Sequence, residues 1–212
     1  MSATLETLET PAAIIDVARM QRNIQRMQAR MNTLGVRLRP HVKTSKCLPV
    51  IQAQIAAGAT GVTVSTLKEA EYCFANGITD VLYAVAMAPG KLPQALALIR
   101  QGCRLGIITD SVAGAQAIVA FGQQHDECFE VWIEIDSDGH RSGIKVDDPA
   151  LLQVAQVLCA GIQHQLAHAI GSGIVQHRAR DMGVAPDIDE RGVRQVLAGQ
   201  QTAHLRQAVH AR

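Results

Sequence analysis

The sequence has few features that would connect the protein with a membrane, a nucleic acid or an oxidising compartment. Its five cysteines stand alone, without a C-x-x-C pair, which is typical of reduced thiols and not of a disulfide framework or a paired-cysteine zinc site. The 20 lysines and arginines nearly balance 19 acidic residues, so no strong field would attract nucleic acid. No uncharged apolar run nears about 18 residues, and the acidic N-terminus is unlike a signal peptide. We therefore expect a cytoplasmic protein that binds neither nucleic acid nor a membrane.

Aromatic residues are also scarce, at 3%, but hydrophobic residues make up 48% of the 212 positions, which is enough for a packed core. Short segments rich in branched residues, expected to be strands, cover 37–43, 61–65, 80–85, 105–110 and 128–135. Stretches with helical periodicity lie between them, at 67–75, 91–101 and 111–121. This alternation predicts an α/β fold with a parallel sheet. The regular spacing favours a (β/α) barrel, although a doubly wound open sheet remains open because periodicity does not report closure.

Three further segments are assigned by pattern alone. A strand-like run at 11–16 precedes a helical stretch at 17–34, and a broken strand-like run lies at 166–170. The methionines of the helical stretch fall at helical spacing and are expected to pack in the core.

The first predicted strand of the repeat carries polar side chains on one face. Because side chains alternate along a strand, Arg39, His41 and Lys43 should share one face and apolar residues the other. In a barrel, the end of this strand lies at the mouth where barrel enzymes keep their active sites. Two cations and a histidine there favour an anionic ligand, and a lysine amine can attack an aldehyde to form an imine. The alternative is that residues 43–46 form only a solvated loop.

The run at 39–47 resembles the R-P-H-x-K-T-x-K motif of the D-threonine aldolase and D-serine dehydratase family. These are fold type III pyridoxal 5'-phosphate (PLP) enzymes related to alanine racemase. Residues 8–11 and 61–71 are similar to the same family. The resemblance implies an incomplete (β/α)8 TIM-type barrel of the alanine racemase N-terminal class. It also implies that Lys43 is the catalytic lysine, to which the cofactor is covalently bound.

A polar turn with two glycines follows the fifth predicted strand, at 134–143. By itself it is an ordinary turn. The resemblance implies that the arginine two residues before its second glycine, Arg141, faces the cofactor ring and contacts the phenolic oxygen. His41 and Ser65 are the other predicted cofactor-binding residues, beside Lys43. For Ser65 the alternative is helix capping by Ser65 or Thr66, with Glu69 close behind.

The resemblance fades after about residue 162. Residues 160–212 contain five of the eight histidines and six arginines but no lysine and no aromatic residue. We therefore divide the chain into a partial PLP-binding barrel, 1–162, and a divergent tail, 163–212. The family's phosphate loop, last barrel strands and C-terminal domain with its divalent-metal site have no counterpart here, so no metal ligands are expected in this chain. The composition of the tail is typical of out-of-frame reading of GC-rich DNA, and we expect a truncated or frameshifted family member.

Three functions are consistent with these observations. The first is a PLP-dependent lyase that acts on D-3-hydroxy amino acids, by aldol cleavage or by dehydration, with impaired turnover in this chain. The second is a non-catalytic PLP-binding carrier, and the third is an inactive fragment. Under the first, the partners are a small-molecule D-amino acid and, by family resemblance, a second copy of the chain in a homodimer.

Overall fold

The computed structural model describes residues 5–136, 139 and 142–171, with side chains described as far as residue 161. The helices are α1 (Val17–Thr33), α2 (Leu48–Ala56), α3 (Leu67–Ala75), α4 (Leu92–Arg100), α5 (Val112–His125) and α6 (Pro149–Gly171). The strands are β1 (Val62–Val64), β2 (Asp80–Ala86), β3 (Arg104–Thr109), β4 (Glu130–Ile133), β5 (Ile135–Asp136) and β6 (Ile144–Lys145). Short 3-10 turns lie at Leu5–Thr7 and Pro89–Lys91. The chain divides into two compact units after Leu82.

The first unit contains two helices, the short strand β1 and a third helix that follows it directly. α1 begins after Asp16, whose carboxylate accepts the backbone N–H of Arg19 at 2.9 Å and so caps the helix. α2 has Pro49 in its first turn, where the missing N–H leaves no hydrogen bond unmade. Val62 and Val64 of β1 are fully buried, so this strand lies in the core of the unit.

The segment predicted as the first strand of the repeat, 37–43, forms only one bridge, in which His41 pairs in parallel with Thr63. The Thr63 N–H donates to the Pro40 carbonyl at 2.8 Å, and the Val42 N–H donates to the Thr63 carbonyl at 2.9 Å. The preceding bridge of a parallel ladder would need an N–H on Pro40, which proline lacks. The prediction of a full strand is therefore wrong, although residues 36–40 lie outside any helix and lead into the bridge.

β2 begins in the first unit and ends in the second; it is the neighbour of β1 in the first unit and of β3 in the second. In the second unit β3 pairs in parallel with β4, in a register that runs from Gly106 opposite Glu130 to Thr109 opposite Ile133. β3 is buried from Leu105 to Thr109. The parallel sheet and the alternation with helices confirm the predicted α/β class.

The helices of the second unit pack on these strands. A buried cluster joins α5, β6 and α6 through Ala115, Ile144, Leu151 and Val154. Apolar burial of this kind stabilises the unit by roughly 25 cal/mol per Å² of apolar surface removed from water. Among the described residues, no helix is both long and apolar enough to cross a membrane.

Most predicted elements are confirmed, and their ends differ from the predicted ones by at most four residues. The predicted strands at 61–65, 80–85 and 105–110 are β1, β2 and β3, and the one at 128–135 is divided into β4 and β5. The run at 11–16 is exposed and forms no strand, so that prediction is wrong. The run at 166–170 lies within α6, so it is helical and not a broken strand. α6 also continues through residue 162, the position at which the sequence suggested a boundary.

Candidate active site

Lys43 lies on an exposed turn, residues 42–45, directly after the bridge that His41 makes to β1. Val42 anchors the start of the turn because its side chain is only 3% exposed. At the other end the Lys46 N–H donates to the Val42 carbonyl at 3.0 Å. Among the described residues, nothing forms a hydrogen bond or an ion pair with the Lys43 ammonium group. The Lys43 side chain is exposed, and in the described part of the chain its amine has no partner that would compete with a ligand.

His41 connects the backbone of Lys43 with the side chain of Ser65. Its Nδ1 lies 3.3 Å from the Lys43 backbone nitrogen, and its Nε2 lies 3.2 Å from the Ser65 Oγ. Because Nδ1 accepts from the Lys43 N–H, the neutral ring carries its proton on Nε2 and donates it to Ser65. Burial and then the positive charge of Lys43 lower the pKa of His41 below its ordinary value, and the negative charge of Glu69 only partly opposes them. The geometry and the pKa direction both favour the neutral ring.

Ser65 follows β1 and contributes to the site, whereas the neighbouring Thr66 caps the helix. The Thr66 hydroxyl accepts the Glu69 N–H at 3.0 Å at the start of α3. The Ser65 hydroxyl contacts His41, and the Ser65 N–H donates to Glu69 Oε2 at 2.8 Å. Helix capping thus falls to Thr66, and cofactor binding by Ser65 stays a prediction.

Glu69 is a member of the site that sequence reasoning noted only as part of a helix cap. Its Oε1 lies 3.0 Å from the Lys46 Nζ, while its Oε2 accepts the Ser65 N–H. Burial raises the pKa of Glu69, but the hydrogen bonds from Ser65, Lys46 and Thr66, together with the positive charge of Lys46, outweigh burial and bring the pKa below its ordinary value. The signal was the Thr-x-x-Glu spacing of a capping box, which predicts the cap but not the ion pair.

Arg39, predicted on the same face as His41 and Lys43, forms an ion pair with Asp80. Its Nη1 pairs with Asp80 Oδ1 at 2.7 Å and lies 3.3 Å from the Asp80 carbonyl oxygen. A Cβ added at Gly61 would overlap both groups, so only glycine leaves room for this pair. Of the two cations predicted on that face, Lys43 is the one without an ion-pair partner among the described residues.

Arg141 lies outside the described residues, but the ends of its loop are well fixed. The Ser142 hydroxyl donates to Glu134 Oε1 at 2.9 Å, and the Gly139 N–H donates to Asp136 Oδ1 at 2.9 Å. Gly143 has a φ of +112°, and a Cβ there would lie 2.6 Å from the Asp136 nitrogen. The loop therefore requires glycine at this position, two residues after the predicted arginine.

Metal ligands were searched for in the part of the chain that the structure describes. No group of three or more histidine, cysteine, aspartate or glutamate side chains there could hold an ion. The site built around Lys43 consists instead of one free amine, one imidazole, one hydroxyl and one carboxylate–ammonium pair.

Comparison with known sequences places this site in a family context. The model of the family described as "Alanine racemase, N-terminal domain" matches residues 15–211. D-threo-3-hydroxyaspartate dehydratase of Delftia sp. (strain HT23) is 57% identical over 212 residues, which is all of this chain and 53% of that protein. D-threonine aldolase of Arthrobacter sp. is 34% identical over 160 residues, and D-serine dehydratase of Dictyostelium discoideum is 30% identical over 156 residues. These two alignments cover 72% and 69% of this chain, and 40% and 38% of those proteins.

Solved structures agree with the sequence comparisons. D-threo-3-hydroxyaspartate dehydratase from Delftia sp. HT23 matches with a TM-score of 0.74 and 66% identity, over 76% of this chain and 42% of that one. D-threonine aldolase from Filomicrobium marinum matches with a TM-score of 0.63 and 30% identity, over 77% and 42% of the two chains. An alanine racemase of Clostridium difficile 630, at 15% identity and a TM-score of 0.53 over 64% and 36% of the two chains, is similar in fold alone.

The chain spans about half the length of the curated relative that is most fully aligned with it, and less of the others. The described residues have a parallel α/β fold, and the family model covers most of the chain. The chain therefore belongs to the family of the alanine racemase N-terminal domain, and with it to the PLP-dependent fold type III proteins.

Proposed function

We propose that this chain carries the PLP-binding part of a lyase that acts on D-3-hydroxy amino acids, by dehydration or by aldol cleavage. The observation that carries the proposal is the exposed Lys43 amine, which forms no ion pair among the described residues while its backbone N–H is bonded to His41. The relative that is 57% identical, D-threo-3-hydroxyaspartate dehydratase, favours dehydration of a D-3-hydroxy amino acid with a second carboxylate. D-threonine aldolase, which is 34% identical, is the reason to keep aldol cleavage as the alternative reaction.

The residues of the site fit the aldehyde end of PLP. An aldehyde condenses with a primary amine, and Lys43 offers an exposed one that forms no ion pair with a described residue. Ser65 accepts from His41, so its own hydroxyl hydrogen remains available to an acceptor on the ligand. We assign Lys43 to the covalent attachment, His41 and Ser65 to the neighbouring contacts and, on family resemblance, Arg141 to the phenolic oxygen. When bound, the cofactor supplies an electron sink for bond cleavage next to the substrate amino group.

His41 orients the lysine by holding its backbone. With its proton on Nε2, the ring accepts at Nδ1 and adds no second positive charge beside the Lys43 amine. The contacts of His41 with Lys43 and Ser65 lie directly after the bridge between His41 and β1. Parallel α/β folds bind their ligands at this carboxyl end of the strands. This arrangement fixes the backbone of Lys43 before any ligand arrives.

Substrate, metal and assembly are proposed from the relatives. The partner is a small D-amino acid, and the assembly is a homodimer. A metal-free variant of D-threo-3-hydroxyaspartate dehydratase has been solved, which supports a metal in that enzyme. We place the divalent metal of the full-length enzymes outside the described residues of this chain, because no ligand cluster exists among them.

Cofactor attachment tests the proposal most directly. The chain is incubated with PLP, reduced with borohydride and digested, and the phosphopyridoxyl peptides are mapped by mass spectrometry. We expect the adduct to concentrate on Lys43 and to disappear in Lys43→Arg. The matched control is Lys68→Arg, which removes an exposed lysine of α3 and should leave the Lys43 adduct in place. Label spread over surface lysines, or none, would contradict the proposal and indicate an inactive fragment.

A second candidate, a non-catalytic PLP carrier, is favoured by the observation that the chain spans only 53% of its dehydratase relative. Both candidates predict the adduct, so turnover separates them. Dehydration would release ammonia and a 2-oxo acid from D-threo-3-hydroxyaspartate, and aldol cleavage would release glycine and an aldehyde. An adduct on Lys43 with neither product identifies a carrier.

A further inference from the structure

The turn that carries Lys43 holds a second lysine three positions later. Lys46 is also exposed, with 65% of its side chain accessible, and it is also a primary amine that can condense with an aldehyde. Among the described residues, the ammonium group of Lys46 pairs with Glu69, whereas that of Lys43 forms no ion pair. We propose that Glu69 selects Lys43 as the cofactor lysine by holding Lys46 in an ion pair. This inference rests on the proposed function of the Lys43 turn.

The Glu69 side chain is fixed in place, so Lys46 must adopt the conformation that brings its ammonium group to the carboxylate. The side chain of Glu69 is only 13% exposed, and its Oε2 accepts the Ser65 N–H at 2.8 Å. Its backbone N–H is bonded to the Thr66 hydroxyl in the first turn of α3. The remaining oxygen, Oε1, faces the Lys46 ammonium group at 3.0 Å. The longer and more exposed side chain of the pair is thereby restrained by the shorter and more buried one.

The backbone around the turn also distinguishes Lys46 from Lys43. Lys46 has a φ of +46°, a left-handed conformation that is unfavourable for residues with a Cβ. The bond from its N–H to the Val42 carbonyl closes the turn in this conformation. Lys43 is tied to the same network only through its backbone, because His41 binds both the Lys43 N–H and the Ser65 hydroxyl. Among the described residues, the ammonium group of Lys46 has an ion-pair partner and that of Lys43 has none.

The ion pair between Lys46 and Glu69 makes imine formation less favourable at Lys46 than at Lys43. A neutral amine nitrogen bonds to the aldehyde carbon, and the aldehyde oxygen leaves as water. At Lys46 the ammonium proton must first pass to solvent, which leaves the half-buried Glu69 carboxylate without its counter-charge. At Lys43 no ion pair with a described residue is lost. A partly exposed ion pair biases such a choice by up to about fivefold.

Labelling of both lysines in one digest tests the inference. The 212-residue chain is treated with PLP and borohydride, and the ratio of adduct on Lys46 to adduct on Lys43 is measured for wild type and for Glu69→Gln. The glutamine keeps an oxygen for the Ser65 N–H, while the charge is lost and an NH2 group replaces the oxygen that faces the Lys46 ammonium group. We expect the ratio to rise by about fivefold. The control is Glu71→Gln, which removes a carboxylate from the same helix, and should leave the ratio unchanged.

A second measurement works without PLP. Competitive labelling with acetic anhydride reports the reactivity of each lysine amine, and in Glu69→Gln we expect the value for Lys46 to rise while that for Lys43 stays constant. General damage to the fold would change both lysines together. Wild type could be labelled by PLP at Lys43 while Glu69→Gln changes neither the PLP adduct ratio nor the relative anhydride reactivity of the two lysines. In that case the inference is wrong and the proposed function stands. PLP could give no adduct on Lys43 while the anhydride reactivity of Lys46, relative to that of Lys43, rises in Glu69→Gln. In that case the proposed function fails, but the ion pair between Glu69 and Lys46 still limits the reactivity of Lys46.

Discussion

His41 bonds to the backbone of Lys43 on one side and to Ser65 on the other, and both bonds are made together only by its neutral form. Protonation would put a hydrogen on Nδ1, facing the hydrogen of the Lys43 N–H. It would also place a second cation next to Lys43. A proton on this one ring therefore disturbs the segment that holds the proposed cofactor lysine.

The stability of the protein should consequently respond to pH through His41. Burial and the charge of Lys43 lower the pKa of His41 from 6.5, so the unfolded chain binds this proton more readily than the folded chain. The contribution is complete above the unfolded pKa and is lost as the pH falls through the lower folded value. We expect the free energy of unfolding, measured by urea titration, to begin to fall below about pH 6.5.

A matched pair of variants assigns this effect. His41→Gln should remove the fall that begins near pH 6.5, whereas His125→Gln, in α5, should retain it. Glu69, whose pKa is also lowered from 4.5, contributes in a separate window below that value, so it does not obscure the first step. An unchanged profile in His41→Gln would show that another group titrates there.

At this scale the sequence predicted the residues of the turn but not their partners. The motif around Lys43 and the position of Ser65 were readable, because each belongs to a short local pattern. The pairs Arg39–Asp80 and Lys46–Glu69 were not, because they join positions 41 and 23 residues apart that only the folded backbone brings together. The predicted alternation of faces also ends at Val42, where the chain leaves the bridge and enters the turn.

The elements that the sequence predicted best are those in which local and tertiary preferences agree. α3 was predicted without error because Thr66 supplies a cap before an apolar helical run. The segment at 37–43 was predicted as a strand from its alternation, but Pro40 interrupts the ladder. The run at 166–170 lies in α6, since a short apolar run fits a buried strand and a helix equally well.

The loop between β5 and β6 offers a prediction at the level of elements. A Cβ at Gly143 would lie 2.6 Å from the Asp136 nitrogen and 2.8 Å from the Ile135 carbonyl carbon, and neither backbone atom can move without disrupting the β5–β6 pair. We expect Gly143→Ala to destabilise the protein by about 2–4 kcal/mol, from the clash and the positive φ together. Urea unfolding monitored by circular dichroism measures the difference.

Gly139→Ala is the control within the same loop. Gly139 also has a positive φ, +74°, but an added Cβ would meet no described atom within 4 Å. Its cost should be about 1 kcal/mol, which is the conformational penalty alone. Equal losses in the two variants would mean that the close approach at Gly143 is relieved by movement of the loop.

For the molecule as a whole, the family assignment extends further along the chain than the recognisable motifs do. The family model matches as far as residue 211, and the dehydratase relative aligns over all 212 residues at 57% identity. Identity to the solved dehydratase is higher, 66%, over the 76% of the chain that superposes on it. The more distant relatives align over only 68–72% of the chain. Similarity is therefore uneven, and the unusual composition of residues 163–212 still requires an explanation.

We interpret that composition as the product of a shifted reading frame, and the coding DNA tests the interpretation. A soluble α/β domain normally spreads lysines and aromatic residues along its whole length, whereas residues 160–212 have neither. Translation of the same DNA in its other two frames beyond codon 162 should therefore yield lysines, aromatic residues and a glycine- and serine-rich phosphate loop. Resequencing of the gene would then show an inserted or deleted base near that codon. If neither frame resembles the relatives, the tail is this chain's own sequence, and any phosphate contact for a cofactor on Lys43 must come from elsewhere in the protein.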